Sequence, residues 1–286
     1  MNEIVLYSLL ALGGVAFLFA TVIFFVEKKF KVIEDPRIDQ VQEILPGANC
    51  GGCGFAGCRN FAEAIVKAGN METLFCPVGG NEVAKKAAAV LGIEVKEKAP
   101  QVAVIRCNGT YSNAPQKVKF EGATSCAFAH NLYAGESGCP YGCLGLGDCV
   151  NACTFDAIYI NPSNGLPTVI EDKCTACGAC VKACPRTIIE LRNKGPKGKR
   201  IYVSCINKEK GAIARKNCSV ACIGCGKCVK TCPHNAITLE DNLAYIDFEK
   251  CKLCRKCVTE CPTGAILEIN FPLRKTEVKN SSEIDA

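Results

Sequence analysis

Cysteine is the residue type that dominates the chemistry available to this chain. The 286 residues include 24 cysteines, only two histidines and no tryptophan. Many of the cysteines fall in runs of the form C-x2-C-x2-C-x3-C-P, a spacing that aims thiolates at a common centre and is typical of 4Fe–4S ligation. We expect reduced, metal-bound thiolates rather than disulfides, because disulfides need an oxidising compartment and no cleavable signal peptide is evident.

The two most regular runs extend from Cys222 to Cys232 and from Cys251 to Cys261. In two-cluster bacterial ferredoxins the first three cysteines of a run bind one cube, and the fourth binds the neighbouring cube. Four-cysteine zinc sites also use C-x2-C pairs, but zinc has no evident need for the third close cysteine or the crossing fourth. The crossing predicts two sets of ligands: Cys222, Cys225, Cys228 and Cys261; and Cys232, Cys251, Cys254 and Cys257.

A preceding pair of runs repeats this pattern less regularly. The run from Cys174 to Cys184 fits the spacing fully, whereas the run from Cys139 to Cys153 is stretched and is followed by threonine rather than proline. The same crossing then predicts two further sets. They are Cys139, Cys143, Cys149 and Cys184; and Cys153, Cys174, Cys177 and Cys180.

The loop NCGGCGFAGC, from Asn49 to Cys58, allows two interpretations. Its glycines satisfy the dinucleotide-binding pattern G-x-G-x-x-G, which requires a preceding strand and a βαβ unit. What precedes the loop is an amphipathic helical pattern that ends at Pro46-Gly47. We therefore interpret the glycines as allowing the backbone to wrap closely around a cube. Its predicted ligands are Cys50, Cys53, Cys58 and Cys76.

Four cysteines remain outside the runs. Two of them directly follow the predicted strands QVAVIR and RIYVS, and the other two come 19 and 13 positions later. They could close a sixth cube, which the division of 24 cysteines into six sets of four favours. They could equally be buried apolar thiols, a common fate of free cysteine. This remaining set is Cys107, Cys126, Cys205 and Cys218.

The formal net charge of +6 counts every cysteine as neutral. A cube with four thiolates carries about −2, so six cubes would bring the total to roughly −6. The apparent basicity is therefore no argument for a nucleic-acid partner. The basic run RNKGPKGKR, from Arg192 to Arg200, is interpreted as a solvated linker, with docking of an acidic redox partner as the alternative.

An uncharged stretch extends from Ile4 to Val26 near the N-terminus. A helix of that length spans roughly 34 Å, enough to cross a bilayer, and the alternative is a buried core helix. Lys28, Lys29 and Lys31 follow it, so the positive-inside rule places the bulk of the chain in the cytoplasm. We expect a single-pass protein of the cytoplasmic membrane.

The expected fold class is α+β, with ferredoxin-like βαββαβ modules after a small helical domain. Repeated C-x3-A-I endings indicate two copies of one pseudo-symmetric unit, and the two predicted strands look like related edges of one layer. The predicted parts are a transmembrane helix (1–27), a helical 4Fe–4S domain (34–93), a connecting segment with a strand (100–138), a ferredoxin-like module (139–190), a linker with a strand (191–217), a second module (218–270) and a disordered tail (271–286).

The motif L-P-G-x-N-C-G-G-C-G-x-x-G-C, the later Cys76-Pro77 and the order of the parts give this chain its family resemblance. It resembles the B subunit of the Rnf complexes. The resemblance implies an electron-carrying component of a membrane complex that passes electrons from reduced ferredoxin to NAD and exports Na⁺ or H⁺. It also implies, as partners, soluble ferredoxin, membrane lipid and the complex's flavin-carrying and membrane subunits. The cysteine runs themselves predict five 4Fe–4S clusters, and six if the four remaining cysteines close another.

Other classes of function fit the sequence less well. The first module alone is similar to the iron–sulfur domain of corrinoid iron–sulfur proteins, so a reductive activator of a corrinoid enzyme is the alternative function. That alternative predicts an appended cofactor-binding domain, and none is evident. The sequence also shows no Walker loop, flavin-binding pattern or Ser/His/Asp arrangement. We therefore predict a chain that carries electrons and has no substrate-transforming site of its own.

Overall fold

The computed structural model of this chain describes residues 3–29, 35–132 and 135–272, so Lys31 and the predicted tail from residue 273 lie outside the described residues. The first element, α1, is a helix over Glu3–Lys29. From Tyr7 to Lys29 it is long and apolar enough to cross a membrane, and none of its apolar window is buried by the rest of the chain. Exposed side chains such as Phe17 leave α1 without a protein core, which is consistent with membrane association.

Three short helices follow and share one small core. They are α2 (Pro36–Ile44), α3 (Cys58–Ala68) and α4 (Gly80–Leu91). The Asp35 carboxylate caps α2 by accepting a hydrogen bond from the Arg37 N–H at 2.9 Å. Phe61 and Ile65 lie one turn apart on α3 and are fully buried in a cluster that includes Val41 of α2. These helices confirm the helical nature of the first cysteine module.

Two units of similar plan make up the rest of the described chain. The first contains β1 (Gln101–Ile105), α5 (Cys126–Leu132), α6 (Asp148–Asn151), β2 (Ile158–Ile160), β3 (Pro167–Val169), α7 (Ala179–Ala183) and β4 (Ile189–Asn193). The second contains β5 (Arg200–Val203), α8 (Gly211–Asn217), α9 (Lys227–Thr231), β6 (Ile237–Glu240), β7 (Leu243–Ile246), α10 (Lys256–Glu260) and β8 (Ile266–Ile269). A 3₁₀ turn over Pro196–Gly198 joins them. The order confirms the predicted α+β class, and each unit follows the βαββαβ order with one additional helix after its first strand.

In each unit the first and last strands pair antiparallel, and the two middle strands form an antiparallel hairpin. Gln101 faces Asn193 in the β1–β4 pair, and Arg200 faces Ile269 in the β5–β8 pair. The strands that the sequence assigned to connecting segments therefore belong to the sheets of the two units.

The prediction that β1 and β5 are edges of one layer is wrong. Each strand pairs with the last strand of its own unit, so the two strands lie in different sheets. Those sheets contact through apolar side chains, with Val102 and Val104 of β1 in one cluster with Tyr202 of β5 and Leu267 of β8. The two units thus share a packed interface.

The basic run between the units is not the solvated linker that its composition predicts. Arg192 is 1 % exposed and Arg200 is 6 % exposed. Arg192 pairs with Glu190, and its guanidinium lies 5.2 Å from the ring centroid of Tyr245. The Arg200 guanidinium forms a bidentate ion pair with the Glu171 carboxylate, with N···O distances of 2.9 and 2.5 Å. The run therefore holds the two units together.

Glu171 is the centre of a contact between the units. It follows β3 of the first unit, and it accepts hydrogen bonds from Arg200 and from Asn270 of the second unit, the latter at 3.3 Å. The Arg200 side chain, with help from Asn270 and Lys194, lowers the pKa of Glu171 against the opposing effect of burial.

Replacing Glu171 with alanine is expected to lower the melting temperature of the loaded protein by several degrees. It leaves the Arg200 guanidinium buried without its carboxylate, at a cost of about 2 kcal/mol, less than for a fully buried pair because Glu171 is partly solvated. Scanning calorimetry of Glu171→Ala measures this. Glu121→Ala, which breaks the exposed pair with Lys119, is the control and should change stability by no more than about 0.5 kcal/mol. Equal shifts in the two variants would contradict the role of Glu171.

Candidate iron–sulfur centres

All 24 cysteines lie in the described part of the chain, and none forms a disulfide. Four sets of four cysteines each line one cavity, and mutual contacts or effects on pKa values define two more sets. Cys50 is assigned to the first set by its place in the loop that holds Cys53. The six groups are numbered here in spatial order. Group I is Cys50, Cys53, Cys58 and Cys76; group II is Cys153, Cys174, Cys177 and Cys180; group III is Cys126, Cys143, Cys149 and Cys184; group IV is Cys107, Cys139, Cys205 and Cys218; group V is Cys222, Cys225, Cys228 and Cys261; group VI is Cys232, Cys251, Cys254 and Cys257. Groups II to V each line a cavity, and Cys143 of group III borders the group IV cavity as well.

Group I is held by the glycine-rich loop between α2 and α3. The backbone of Asn49 is in the left-handed conformation. Its side-chain oxygen accepts a hydrogen bond from the Cys58 N–H at 2.8 Å and so fixes the start of α3. Cys76 arrives after α3, and its thiol accepts a hydrogen bond from the Gly79 N–H at 3.4 Å. The element before the loop is the helix α2 rather than a strand, which argues against the dinucleotide interpretation.

Groups II, V and VI contain the sets that the crossing of fourth ligands predicts. The cavity of group V is lined by three cysteines of its own run and by Cys261 of the next. In group VI, burial and the nearby thiols of Cys251 and Cys254 raise the pKa of Cys257 to about 12, and Cys232 contributes in the same direction. In group II, Cys153 lines the cavity of the following run.

Group III differs from its prediction in one member, because Cys126 occupies the place that the sequence assigned to Cys139. Cys126 begins α5, and this end of α5 is tied to α6. The Asp148 carboxylate accepts hydrogen bonds from Ser125 Oγ at 3.1 Å and from the Ala127 N–H at 2.9 Å. This contact brings Cys126 beside Cys149, whose pKa rises to about 11 through burial and the Cys126 thiol.

Group IV receives Cys139 in place of Cys126, so the predicted sixth set is wrong in that member. The buried Arg186 guanidinium donates to the carbonyls of Cys139 at 3.2 Å and Gly142 at 2.6 Å, which holds this bend over the group IV cavity. Cys107 and Cys205 enter from equivalent positions, each two residues beyond the end of β1 or β5. Group IV therefore lies at the junction of the two units.

Several features show that the groups fit multi-iron clusters. Within the described ranges, no three His, Cys, Asp or Glu side chains lie close enough to bind one metal ion. The cysteines of groups II to V instead surround cavities, as a cluster larger than one Zn²⁺ requires. Two hydroxyls, Thr175 in group II and Ser204 in group IV, line these cavities without a hydrogen-bond partner in the described structure. Thiolate and sulfide acceptors would satisfy both of them.

The electrostatics of the thiols agree with this fit. Burial, with the thiols of Cys174 and Cys177, raises the pKa of Cys180 to about 12, and burial raises the pKa of Cys205 to about 11. Crowded, buried thiols stay protonated on their own, whereas coordination to iron deprotonates them outright. The donor sets are therefore suited to a cationic iron–sulfide core.

The first three groups lie next to one another. Gly52 of the group I loop packs on the group II loop so closely that a Cβ at residue 52 would lie 2.8 Å from Cys177 Cβ. Groups II and III meet where the Cys149 thiol acts on Cys180 and contributes to its raised pKa. Glycine at position 52 is thus what allows the helical module to approach the first unit.

The series continues across the junction of the two units. The Cys143 N–H of group III donates to the Cys107 thiol of group IV at 3.5 Å. The Cys222 N–H of group V donates to the Cys205 thiol of group IV, which opposes the rise in the pKa of that thiol. The thiols of groups V and VI also interact, since Cys228 contributes to the raised pKa of Cys257. Six groups form one unbroken series from the helical module to the far end of the second unit.

Comparison with known families places iron–sulfur domains in three parts of the chain. Residues 45–78 match a family described as a putative Fe–S cluster, residues 167–190 match a 4Fe–4S binding domain, and residues 221–265 match a 4Fe–4S dicluster domain. These matches cover the loops of group I, most of group II and groups V and VI. The chain therefore carries 4Fe–4S domains.

Whole-chain relatives extend the comparison beyond these domains. The B subunit of the Na⁺-translocating ferredoxin:NAD⁺ oxidoreductase complex of Acetobacterium woodii is 45 % identical over 84 % of this chain and 71 % of its own length. The B subunit of the ion-translocating oxidoreductase complex of Methanosarcina acetivorans is 42 % identical over 88 % and 93 %. The B subunit of the proton-translocating ferredoxin:NAD⁺ oxidoreductase complex of Clostridium ljungdahlii is 39 % identical over 88 % and 87 %.

The chain belongs to this family of B subunits. As a member of the family it is an electron-carrying iron–sulfur component of an ion-translocating oxidoreductase complex, and the other subunits of that complex are its partners. Membership confirms the resemblance that the cysteine motifs and the order of the parts predicted.

The two ends of the series in this B subunit are unlike each other. At the far end, Cys225 of group V and Cys254 of group VI are exposed. Each is followed two residues later by an exposed lysine, Lys227 or Lys256, and Lys252 is exposed between Cys251 and Cys254. At the other end, group I lies in the module that follows α1. Three exposed lysines therefore lie next to the exposed cysteines of groups V and VI.

Proposed function

We propose that this protein accepts electrons from reduced ferredoxin at groups V and VI and relays them to membrane subunits that lead to NAD reduction coupled to Na⁺ or H⁺ transport. A 4Fe–4S cluster accepts and releases single electrons when bound. The observation that carries the proposal is the unbroken series of six cysteine groups, which connects an exposed surface to the module next to the membrane helix. Ferredoxin and NAD, and the two ions, are named in the relatives from Acetobacterium woodii and Clostridium ljungdahlii.

We also propose six clusters in the chain, one at each group. The cysteines Cys107, Cys139, Cys205 and Cys218 line a cavity of the same kind as the regular groups, and the Ser204 hydroxyl faces it without a partner in the described structure. Six groups predict about 24 irons per chain.

The membrane arrangement of the proposal is a single pass with the iron–sulfur modules in the cytoplasm. The end of α1 carries Lys28 and Lys29, in agreement with the positive-inside rule. Group I would then lie close to the membrane, where it can pass electrons to the flavin-carrying and membrane-spanning subunits of the complex.

Reversing two charges at the exposed end tests where ferredoxin binds. Lys252→Glu with Lys256→Glu is expected to slow reduction of the complex by ferredoxin about tenfold at low ionic strength, because opposite charges steer the encounter. The effect should shrink as salt is added, since the Debye length falls to about 8 Å at 0.15 M. Stopped-flow bleaching of the iron–sulfur absorbance measures the rate.

The matched control is Lys67→Glu with Lys86→Glu, which makes the same change of charge on exposed residues of the helical module. The rate at which ferredoxin reduces the complex should not change in this variant. If the control slows the reaction as much as the change at the exposed end, ferredoxin binding at groups V and VI is wrong.

A further inference from the structure

Two polar side chains with no assigned role line the cavity of group IV. Asn207 is 1 % exposed and Ser204 is 2 % exposed, and both border the cavity of Cys107, Cys139, Cys205 and Cys218. Neither belongs to a cysteine run, and both lie just beyond β5. They place hydrogen-bond donors at the junction of the two units.

The Asn207 side chain is fixed in one orientation by its neighbours. Its Oδ1 accepts a hydrogen bond from the Glu209 N–H at 2.7 Å. Its Nδ2 donates to a Glu209 carboxylate oxygen at 3.1 Å and to Cys139 Sγ at 3.5 Å. Since both acceptors face the nitrogen and the one donor faces the oxygen, the flipped amide would lose all three contacts. Glu209 thus aims one amide hydrogen at the sulfur of Cys139.

Other donors reach the remaining sulfurs of the group. The Asn207 backbone N–H donates to Cys205 Sγ at 3.5 Å, and the N–H groups of Cys143 and Val220 act on the thiols of Cys107 and Cys218. Every sulfur of group IV therefore has a hydrogen-bond donor. A thiolate that accepts such bonds gives up part of its negative charge.

Ser204 supplies the second side-chain donor. Its backbone continues the β5–β8 ladder, with its N–H donating to the Ala265 carbonyl at 2.8 Å. Its hydroxyl has no partner in the described part of the chain. Leaving a buried hydroxyl in that state is unfavourable, and a sulfide or thiolate would provide the missing acceptor.

We propose that the Asn207 amide and the Ser204 hydroxyl raise the reduction potential of the cluster that group IV would hold. This inference depends on the proposed sixth cluster. Hydrogen bonds to the sulfurs stabilise the reduced, more negative state, and protein control of cluster potentials acts largely through such bonds. Asn207 and Ser204 would act through the sulfurs around this cavity, without binding iron themselves.

The test is a redox titration of the purified complex, followed by electron paramagnetic resonance. The component that disappears in a Cys107→Ala, Cys139→Ala double variant identifies group IV. Asn207→Leu and Ser204→Ala should each move this component to lower potential while iron content stays the same. Thr175→Val removes the comparable hydroxyl at group II and is the control, in which the group IV component keeps its potential.

The outcomes separate the inference from the proposed function. If the double variant loses neither iron nor a signal, the sixth cluster itself is wrong. If the group IV component is present but keeps its potential in both Asn207→Leu and Ser204→Ala, the inference is overturned and the six clusters stand. Should Asn207→Leu lose iron, Ser204→Ala alone decides, because removing one oxygen atom leaves the packing of the cavity nearly unchanged.

Discussion

Replacing Cys107 and Cys139 together with alanine is expected to remove about four irons per chain, no more than either replacement alone. The reason is that both cysteines line one cavity, so the second change removes a ligand from a site that is already lost. Anaerobic purification followed by iron and sulfide quantification measures the loss. The wild-type chain should give about 24 irons.

The informative comparison is the double variant Cys107→Ala with Cys126→Ala, which should lose about eight irons. Cys126 lines the cavity of group III with Cys143, whereas Cys107 lines that of group IV. The assignment drawn from cysteine spacing, in which Cys107 and Cys126 share a cluster, predicts the opposite results for the two double variants. Cys126→Ala with Cys143→Ala is the control and should lose about four irons. A loss of eight irons from the Cys107, Cys139 pair would refute the groups described here.

The exchange of Cys126 and Cys139 shows where sequence reasoning ends. The C-x2-C-x2-C spacing is a property of one tight loop, so local sequence predicts it and also predicts the crossing fourth ligand. Both exchanged cysteines lie in the irregular part of the first unit, where no spacing rule applies. Their places depend on tertiary contacts of Asp148 with Ala127 and of Arg186 with Cys139. Nothing in the spacing of these residues signals such contacts.

The burial of Arg192 and Arg200 could not be predicted from the charge pattern of the sequence either. A run with five positive charges is usually solvated, and composition alone supports that expectation. Arg192 and Arg200 are nevertheless buried, because the fold supplies Glu190 and Glu171 as partners and the Tyr245 ring as a surface for the guanidinium. In contrast, the apolar stretch of α1 and the helical module are encoded by strong local patterns, and the structure agrees with both.

Interrupting the series at its two ends should have different consequences. Cys53→Ala removes a ligand of group I, next to the helical core, and is expected to reduce ferredoxin-driven NAD reduction by the complex to background. Reduced ferredoxin should still bleach the absorbance of the clusters at the other five groups, because electrons enter at groups V and VI. Cys254→Ala removes the exposed ligand of group VI and should slow that bleaching as well as NAD reduction.

The different results expected for Cys53→Ala and Cys254→Ala follow from the proposed direction of electron flow. If electrons enter at groups V and VI and leave from group I, loss of group I blocks only their exit. The remaining clusters then become reduced but cannot pass electrons to the membrane subunits. Stopped-flow bleaching and NADH formation, followed on the same preparations, separate filling from delivery, and iron quantification confirms that each variant has lost about four irons. If Cys53→Ala instead abolished bleaching while Cys254→Ala left it unchanged, electrons would enter through group I. The exposed lysines beside Cys254 would then serve a different partner.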